Sequence, residues 1–381
     1  AFLPDRLTLG ALAPAPEAGH GLWRRLDSGN TAAPGALYRP CYNHTTWGAC
    51  NFAVPAGSPH LLCVACRQTQ RLPDLSEPLH RLRWARIEGA KRQLFYTLAR
   101  LGLQSTDELA PASAGPAYAF LADIPGGPSI VTGHHSGTIT LNVAEADDDE
   151  RARLRVALHE PYRTLIGHLR HESGHFYWDR LVRDGGRLDS FRAVFGNERQ
   201  DYATALQAHY TLPARTDWSL QHVSAYAAAH PWEDWAETWA HYLHMVDLLE
   251  TAAAYATGLS VPETRTPAPP REHVADPFGA PAPGFDTMVR QWVPLTLLLN
   301  SLNRSLGQND AYPFALSSGA MGKLRFVHDL VQAPAGEATE AIRDRVARAR
   351  AVAMGWSGSP CQAVIATLVT RRPWRHSWHW A

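Results

Sequence analysis

One stretch of nine residues organises the chain: Arg170-His171-Glu172-Ser173-Gly174-His175-Phe176-Tyr177-Trp178. It contains the pattern H-E-x-x-H. Residues i and i+4 lie on the same face of a helix, so His171 and His175 can both present an imidazole nitrogen to one metal ion. Glu172 points partly around the helix, which suits a general base acting on a zinc-activated water. The stretch therefore predicts a catalytic zinc site with Glu172 as its base.

The sequence around this motif favours a helix that packs against the core. Leu165, Leu169 and Phe176 recur at helical spacing, and Gly185-Gly186 gives a stop signal. Gly174 costs about 1 kcal/mol in a helix interior, so we expect it to let another segment come close. The alternative is an ordinary amphipathic helix with two surface histidines.

A catalytic zinc normally has three protein ligands, and the third must come from elsewhere in the chain. The best candidate segment is 226–244, where Pro231 fits the first turn of a helix and the acidic residues after it suit the helix dipole. We predict Glu233 as the third ligand and Glu237 as the partner that orients a ligand histidine. A solvated acidic helix start is the alternative, and competing ligand candidates are Glu198, Asp201, His241 and His244. An aromatic stripe on the same segment is expected in the core: Trp232, Trp235, Trp239 and Tyr242.

Four of the five cysteines fall between positions 41 and 66: Cys41, Cys50, Cys63 and Cys66. The last two form C-x-x-C, a spacing that suits tetrahedral zinc. We predict that the four bind a structural zinc, so the chain would hold one catalytic and one structural Zn²⁺. Reduced core thiols and disulfides are the alternatives, and His44 or His60 could replace a cysteine. Cys361 stands alone and is expected to be a buried thiol.

Several unusual strings agree in order with a bacterial family of zinc-binding metallopeptidases, a gluzincin-like group that the chain resembles over roughly residues 1–255. The strings are Tyr38-Arg-Pro-Cys41, Cys50-Asn-Phe52, Cys63-Val-Ala-Cys66-Arg67, Glu88-Gly-Ala-Lys91-Arg92, the H-E-x-x-H helix and His230-Pro-Trp-Glu-Asp-Trp-Ala-Glu-Thr-Trp-Ala-His241. In the family, a string such as Leu3-Pro4-Asp5 follows a short zinc ribbon. None precedes it here, which predicts a trimmed or processed N-terminus.

The metal-site pattern is also similar to that of lethal-factor-like toxin metalloproteases, in which an H-E-x-G-H helix precedes a helix carrying E-x-x-x-E. That resemblance implies that Glu233, the first of the two glutamates, binds zinc. It also implies that Tyr226, seven residues earlier, stabilises the oxyanion. Zincin folds place an edge strand along the cleft, and here we expect it at Thr138–Asn142, with Gly133–Gly137 as the turn before it.

Composition restricts the partners of the protein. Lys+Arg and Asp+Glu balance at 36 each, so the chain lacks the basic character expected for binding nucleic acid or an anionic membrane surface. No run of 18 or more apolar residues and no signal peptide is visible, so we expect a cytoplasmic location. A peptide or protein substrate is the expected partner.

These patterns predict an α+β, mainly helical fold with a zincin-like metallopeptidase core, a small cysteine zinc-binding region and a C-terminal helical cap. The expected divisions are an extended N-terminal region with the cysteine module at 1–80, a catalytic domain at 81–261, a Pro-rich linker or loop at 262–284 and a helical region at 285–381. The predicted function is zinc-dependent hydrolysis of peptide or amide bonds. Two alternatives remain: a metal-stabilised protein-interaction scaffold with a degenerate site, and an amidase or isopeptidase acting on a non-protein, peptide-like substrate.

Overall fold

The computed structural model describes residues 1–26, 35–111, 115–157, 163–212, 217–259 and 272–333. Three features considered above lie wholly or partly outside these ranges: Cys361, the Pro-rich segment at 262–284 and the C-terminal helical region at 285–381.

Helices, including short 3-10 and π-helical turns, form about half of the described chain. In chain order the α-helices are α1 (Tyr42–Thr45), α2 (Pro78–Arg100), α3 (Asp148–Ala157), α4 (Leu165–Tyr177), α5 (Leu188–Phe195), α6 (Tyr202–Thr211), α7 (Pro231–Ala254), α8 (Phe285–Ser305) and α9 (Ser318–Gln332). The mainly helical α+β character predicted from the sequence is therefore present.

The strands form small sheets. They are β1 (Phe2–Leu3), β2 (Thr8–Leu9), β3 (Leu12–Pro14), β4 (Trp23–Arg25), β5 (Leu37–Pro40), β6 (Ala53–Pro55), β7 (Thr69–Arg71), β8 (Ala117–Leu121), β9 (Gly133–His135), β10 (Thr138–Asn142), β11 (Gly258–Leu259) and β12 (Glu272–His273). The N-terminal sheet has the order β3-β4-β5-β6, and β1-β2 and β11-β12 form two-stranded ribbons. Every pair in these three sheets is antiparallel.

The sheet nearest the H-E-x-x-H helix has the order β7-β8-β10-β9. β8 pairs in parallel with both β7 and β10, and β9 pairs antiparallel with β10 on the outside. Thr138–Asn142 is thus a strand, as predicted, but the prediction that it forms the edge is wrong. The edge on this side is β9, because Gly133–His135 folds back onto β10 through a tight turn in which Ser136 and Gly137 both have positive φ.

Helix α4 carries the motif and is buried along most of its length. Thr164 caps its start by accepting a hydrogen bond from the Gly167 N–H, which satisfies one of the free amides of the first turn. The helix continues past Tyr177 as a π-helical turn over Trp178–Arg183, so the α-helical hydrogen-bond pattern ends earlier than predicted. The helical segment as a whole ends just before Gly185-Gly186, as expected.

The centre of the core is the contact between α4 and α7. A Cβ built on Gly174 would lie 3.0 Å from the Ala236 Cα and 3.1 Å from the Trp239 Cδ1. Trp235 Nε1 also donates to the Gly174 carbonyl over 2.8 Å. Gly174 therefore admits the backbone of α7, as the sequence suggested. Trp235, Trp239 and Tyr242 are fully buried.

The cysteine-containing region packs on α2. Phe95 and Ala99 of this helix belong to the same buried cluster as the four cysteines. A buried ion pair lies close by, in which Lys91 is 2.9 Å from Glu88 and also donates to Thr69 Oγ1 over 2.5 Å. These contacts fix the N-terminal region against the helical part of the chain.

The last described helix supports the start of α7. Lys323 of α9 donates to Asp234 Oδ2 over 2.6 Å and to the Gln221 carbonyl over 2.7 Å. Ala320 packs with Val223 and Ala227. Helix α9 therefore fixes both the first turn of α7 and the segment that leads into it. Over the described ranges, no helix is both long and apolar enough to cross a membrane.

Candidate metal centre

Three predicted ligands meet between α4 and α7. His171 Nε2 lies 3.1 Å from His175 Nε2 and 3.1 Å from Glu233 Oε2. His175 Nε2 lies 3.5 Å from Glu233 Oε1. All three side chains are buried, and Glu233 has no exposed surface.

These spacings fit a zinc ion. Ligand atoms about 2.0–2.1 Å from a tetrahedral zinc lie about 3.3–3.4 Å from one another, close to the three distances observed. Two imidazoles and a carboxylate are also a donor set that zinc takes in hydrolytic sites. Burial of Glu233, Asp234 and Glu237 rules out the alternative of a solvated acidic helix start.

A second layer of contacts orients the ligands. His171 Nδ1 lies 2.8 Å from Glu237 Oε1, and Ser224 Oγ donates to Glu237 Oε2 over 2.7 Å. Tyr202 donates to Glu233 Oε1 over 2.6 Å. Burial opposes protonation of His171, but its hydrogen bonds to Glu233 and Glu237 outweigh burial and raise its pKa to about 10. A metal ion must therefore displace a proton from His171 when it binds.

The competing ligand candidates have other partners. Glu198 is 2.9 Å from Arg192 Nε, and Asp201 caps α6 by accepting from the Thr204 N–H. His241 contacts the Tyr312 hydroxyl over 2.5 Å, and His244 contacts Arg170. Among the described residues, only two groups bring three or more potential ligands together, and none of these four residues belongs to either.

The second group consists of the four clustered cysteines. The sulfur atoms of Cys50 and Cys63 are 3.8 Å apart, and those of Cys50 and Cys66 are 3.6 Å apart. Four thiolates about 2.3 Å from a tetrahedral zinc would be about 3.8 Å apart, whereas a disulfide needs about 2.05 Å. All four side chains are buried and unbridged. Hydrogen bonds from Cys50, Cys63 and Cys66 hold the pKa of Cys41 well below its usual range. The cluster thus has the geometry of a Cys₄ zinc site.

The backbone also contacts this cluster. The Cys63 N–H donates to the Cys41 sulfur and the Phe52 N–H donates to the Cys50 sulfur, both over 3.4 Å. Such bonds favour the thiolate form that a metal requires. His44 instead bonds the Cys50 carbonyl through Nδ1, and it is not a member of the group.

A family model described as "Putative zinc-binding metallo-peptidase" matches residues 80–330. This chain belongs to that family. A second model, of a zinc-ribbon domain, matches residues 1–77. The four cysteines predicted to bind a structural zinc lie within this match.

The relatives of this metallopeptidase family member include uncharacterized proteins of Mycobacterium bovis and Mycobacterium tuberculosis. Each is 40% identical over 286 residues, which span 74% of this chain and 79% of the relative. No solved structure matches the chain significantly.

Glu172, the predicted general base, lies on α4 between the candidate ligands His171 and His175. It is buried, and its Oε1 is 3.5 Å from His168 Nε2. Its Oε2 is also buried and has no hydrogen-bond partner among the described residues. Burial opposes ionisation, but the contact with His168 together with the nearby His171 and His175 outweighs burial and lowers the pKa of Glu172. The carboxylate is thus held ionised with one oxygen available.

Tyr226 lies in a short turn before α7. Its ring centroid is 6.1 Å from that of His171 and 5.6 Å from that of His209. Burial, followed by the nearby Glu233 carboxylate, raises the pKa of Tyr226 well above its usual range. The phenol therefore remains a neutral hydrogen-bond donor.

Sequence reasoning missed Tyr202, whose hydroxyl reaches the ligand Glu233. Burial and Glu233 raise its pKa in the same way. No local signal identified it, because Tyr202 precedes Glu233 by 31 positions on a different helix.

A cleft of about 760 Å³ adjoins the metal centre. Edge strand β9 forms one wall, and the π-helical turn, Tyr202 and Trp232 form others. His134 of β9 stacks on His175 with ring centroids 6.4 Å apart, and its Nε2 accepts from the Gly137 N–H. Another cavity, of about 820 Å³, lies between the ribbon, α2 and the end of α7, away from His171 and His175.

Proposed function

We propose that the protein is a zinc-dependent peptidase or amidase with a zincin-like core. His171, His175 and Glu233 would hold the catalytic ion, and Cys41, Cys50, Cys63 and Cys66 a structural ion. The observation that supports this best is the convergence of two imidazoles and a carboxylate, whose ligand atoms lie within 4.8 Å of one another, with the two imidazoles on the helix that also carries the buried Glu172.

A zinc ion at this position would supply Lewis-acid activation of water and of a substrate carbonyl. Glu172 then acts as general base towards the attacking water, and afterwards returns the proton to the leaving amine. The two carboxylate oxygens of Glu172 have different surroundings. Oε1 lies near His168, whereas Oε2 has no hydrogen-bond partner among the described residues and is available to accept the proton of the water. Glu237 and Ser224 hold His171 so that its Nε2 lies near His175 and Glu233, where it would bind the ion.

Tyr226 would stabilise the negative charge that develops on the carbonyl oxygen. A neutral phenol can donate to such an oxygen, and loss of a donor of this kind typically costs about 10²–10³ in rate. Tyr202 is a second phenol in the site, and its present partner is the ligand Glu233.

We further propose that the substrate is a peptide or protein segment lying in the cleft beside β9. The outer side of this strand has no neighbouring strand within the described sheet, so an extended peptide can pair with it through main-chain hydrogen bonds. Trp232, whose ring is 4.1 Å from that of His175, offers an apolar surface at the same place.

The test compares zinc-loaded wild type, Glu172→Gln and Glu250→Gln on a mixed peptide library, with cleavage followed by mass spectrometry and metal content by elemental analysis. Glu250→Gln is the control, because Glu250 lies near the far end of α7 and bonds Tyr96. We expect cleavage by wild type and control, and no turnover with unchanged zinc content in Glu172→Gln. Hydrolysis retained by Glu172→Gln would contradict the general-base assignment. No cleavage by fully loaded wild type would favour a scaffold.

A further inference from the structure

A row of buried polar side chains leads from Glu145 through His168 to Glu172. His168 lies one helical turn before Glu172, and its Nε2 is 3.5 Å from Glu172 Oε1. On the other side of the ring, His168 Nδ1 is 2.6 Å from Glu145 Oε2. His168 and Glu172 are each 2% exposed and Glu145 is 7% exposed. The order is therefore Glu145, His168, Glu172.

Glu145 is itself fixed by three groups from different parts of the chain. Thr132 donates to its Oε1 over 2.5 Å, whereas Arg163 and His168 both contact its Oε2. Thr132 Oγ1 in turn accepts from the Asn142 N–H at the end of β10. Through Glu145 and Thr132, this series of polar side chains is thus held to the sheet that forms one wall of the cleft.

Glu145 already has Thr132 and Arg163 as hydrogen-bond partners. A histidine whose role was only to bond this carboxylate would not have to lie on the same helical face as Glu172. His168 instead lies on the same helical face as Glu172, with its second nitrogen towards the base. The 3.5 Å separation is longer than a standard hydrogen bond, and such contacts often tighten when a catalytic site is loaded.

We infer that His168 is a positioning residue for the general base: it holds Oε1 of Glu172, with Glu145 fixing the ring, so that Oε2 is the oxygen presented to the attacking water. This inference rests on the proposed peptidase or amidase function. It assigns no proton transfer to His168. What His168 contributes is the orientation of a carboxylate that otherwise has two equivalent oxygens and free rotation about its last bond.

The experiment uses the zinc-loaded full chain with His168→Gln, His168→Leu and the control His328→Gln. His328 is also a buried helical histidine with one hydrogen-bonding neighbour, the Tyr242 hydroxyl at 3.1 Å. Two quantities are measured: kcat and KM on a cleaved peptide, and the Kd of acetohydroxamate, which binds zinc and needs a nearby carboxylate to accept its hydroxyl proton.

For both His168 variants we expect unchanged zinc content, a kcat reduced about 10–100-fold, as is typical when an outer partner of a metal site is removed, and little change in KM. Acetohydroxamate should bind at least about tenfold more weakly, whereas His328→Gln should match wild type in both measurements. Thr132→Val, which leaves α4 unaltered, covers the case in which both His168 variants unfold: its kcat should fall at least about threefold.

The inference is overturned if folded, zinc-loaded His168 variants keep wild-type kcat and acetohydroxamate affinity, or if Thr132→Val is fully active when the His168 variants do not fold. If the proposed function itself were wrong, the results would be different: wild type would be inactive, or Glu172→Gln would be active.

Discussion

The Nδ1 atom of His171 lies 2.8 Å from Oε1 of Glu237, so a proposed ligand histidine on α4 is bonded to a carboxylate on α7 one turn beyond Glu233, the proposed third ligand. With a metal bound at Nε2, Nδ1 would carry the proton and donate to Glu237. The carboxylate thereby fixes both the tautomer and the direction of the ring. Ser224 fixes the carboxylate in turn.

Replacing Glu237 with Ala should weaken binding of the catalytic zinc about 10–100-fold, because outer partners of ligand histidines commonly contribute that much to metal affinity. Competition with a chromogenic chelator measures this directly. Glu250→Ala, on the same helix, should bind zinc as wild type does. Equal affinities for Glu237→Ala and wild type would show that the bond between His171 and Glu237 does not support the metal site.

Removing one ligand from either metal group should remove one ion and leave the other. We expect Glu233→Ala to retain only the cysteine-bound zinc, and Cys66→Ser to retain only the zinc at α4 and α7, because no residue is shared between the groups. Elemental analysis after gel filtration gives the count. Two ions still bound to Glu233→Ala would place the catalytic ligand elsewhere.

Gly174→Ala should destabilise the fold by about 1–3 kcal/mol, the usual cost of adding a methyl group to a well-packed core. The added carbon would lie 3.0 Å from the Ala236 Cα. Because that neighbour is backbone, relief would require α7 to move away from α4. Urea unfolding measures the loss, and zinc affinity should fall with it, since the ligands come from both helices.

Gly322→Ala provides the matched control. Gly322 lies inside α9, is exposed, and has no atom within 4 Å of an added Cβ. The same substitution there should raise the unfolding free energy by up to about 1 kcal/mol through helix propensity. If both variants were stabilised alike, close packing at Gly174 would not constrain the fold.

Acid should destabilise the protein partly through His241. Burial lowers its pKa from 6.5 to about 3 in the folded protein. Between these values the unfolded chain binds the proton more readily, so the unfolding free energy falls as the pH drops below about 6.5. The maximal slope for one group is about 1.4 kcal/mol per pH unit.

His241→Gln should therefore lose less stability than wild type when urea unfolding is compared at pH 7.5, 6.5 and 5.5. The amide can still bond the Tyr312 hydroxyl but does not titrate in this range. Identical losses in the two proteins would mean that another group accounts for the acid sensitivity.

The family and the two metal groups could be predicted from the sequence because the signals are local. Helical spacing places His171 one turn before His175, and Glu233 one turn before Glu237. The four cysteines lie close together in sequence, between Cys41 and Cys66. The role of Gly174 could also be predicted, because a glycine lowers the stability of a helix interior and its presence there indicates close packing. These predictions needed no knowledge of distant contacts.

The position of the edge strand could not be obtained in this way. Alternation within Thr138–Asn142 predicts a strand but does not say whether a neighbour lies on one side or on both, and β9 covers the side that was expected to be open. Tyr202 and Glu145 were missed because their partners are 31 and 23 residues away. His168 was detectable: it precedes Glu172 by one helical turn on the same face.

The ion pair between Lys323 and Asp234 affects the order in which the newly made chain can assemble. The cysteines are complete once residue 66 has been synthesised, so the ribbon can take up metal early. Glu233 lies next to Asp234, which Lys323 of α9 holds in place some 90 positions later. The proposed catalytic metal site therefore reaches its final form only after almost the whole described chain has left the ribosome, so the two candidate metal sites would be completed at different stages of synthesis.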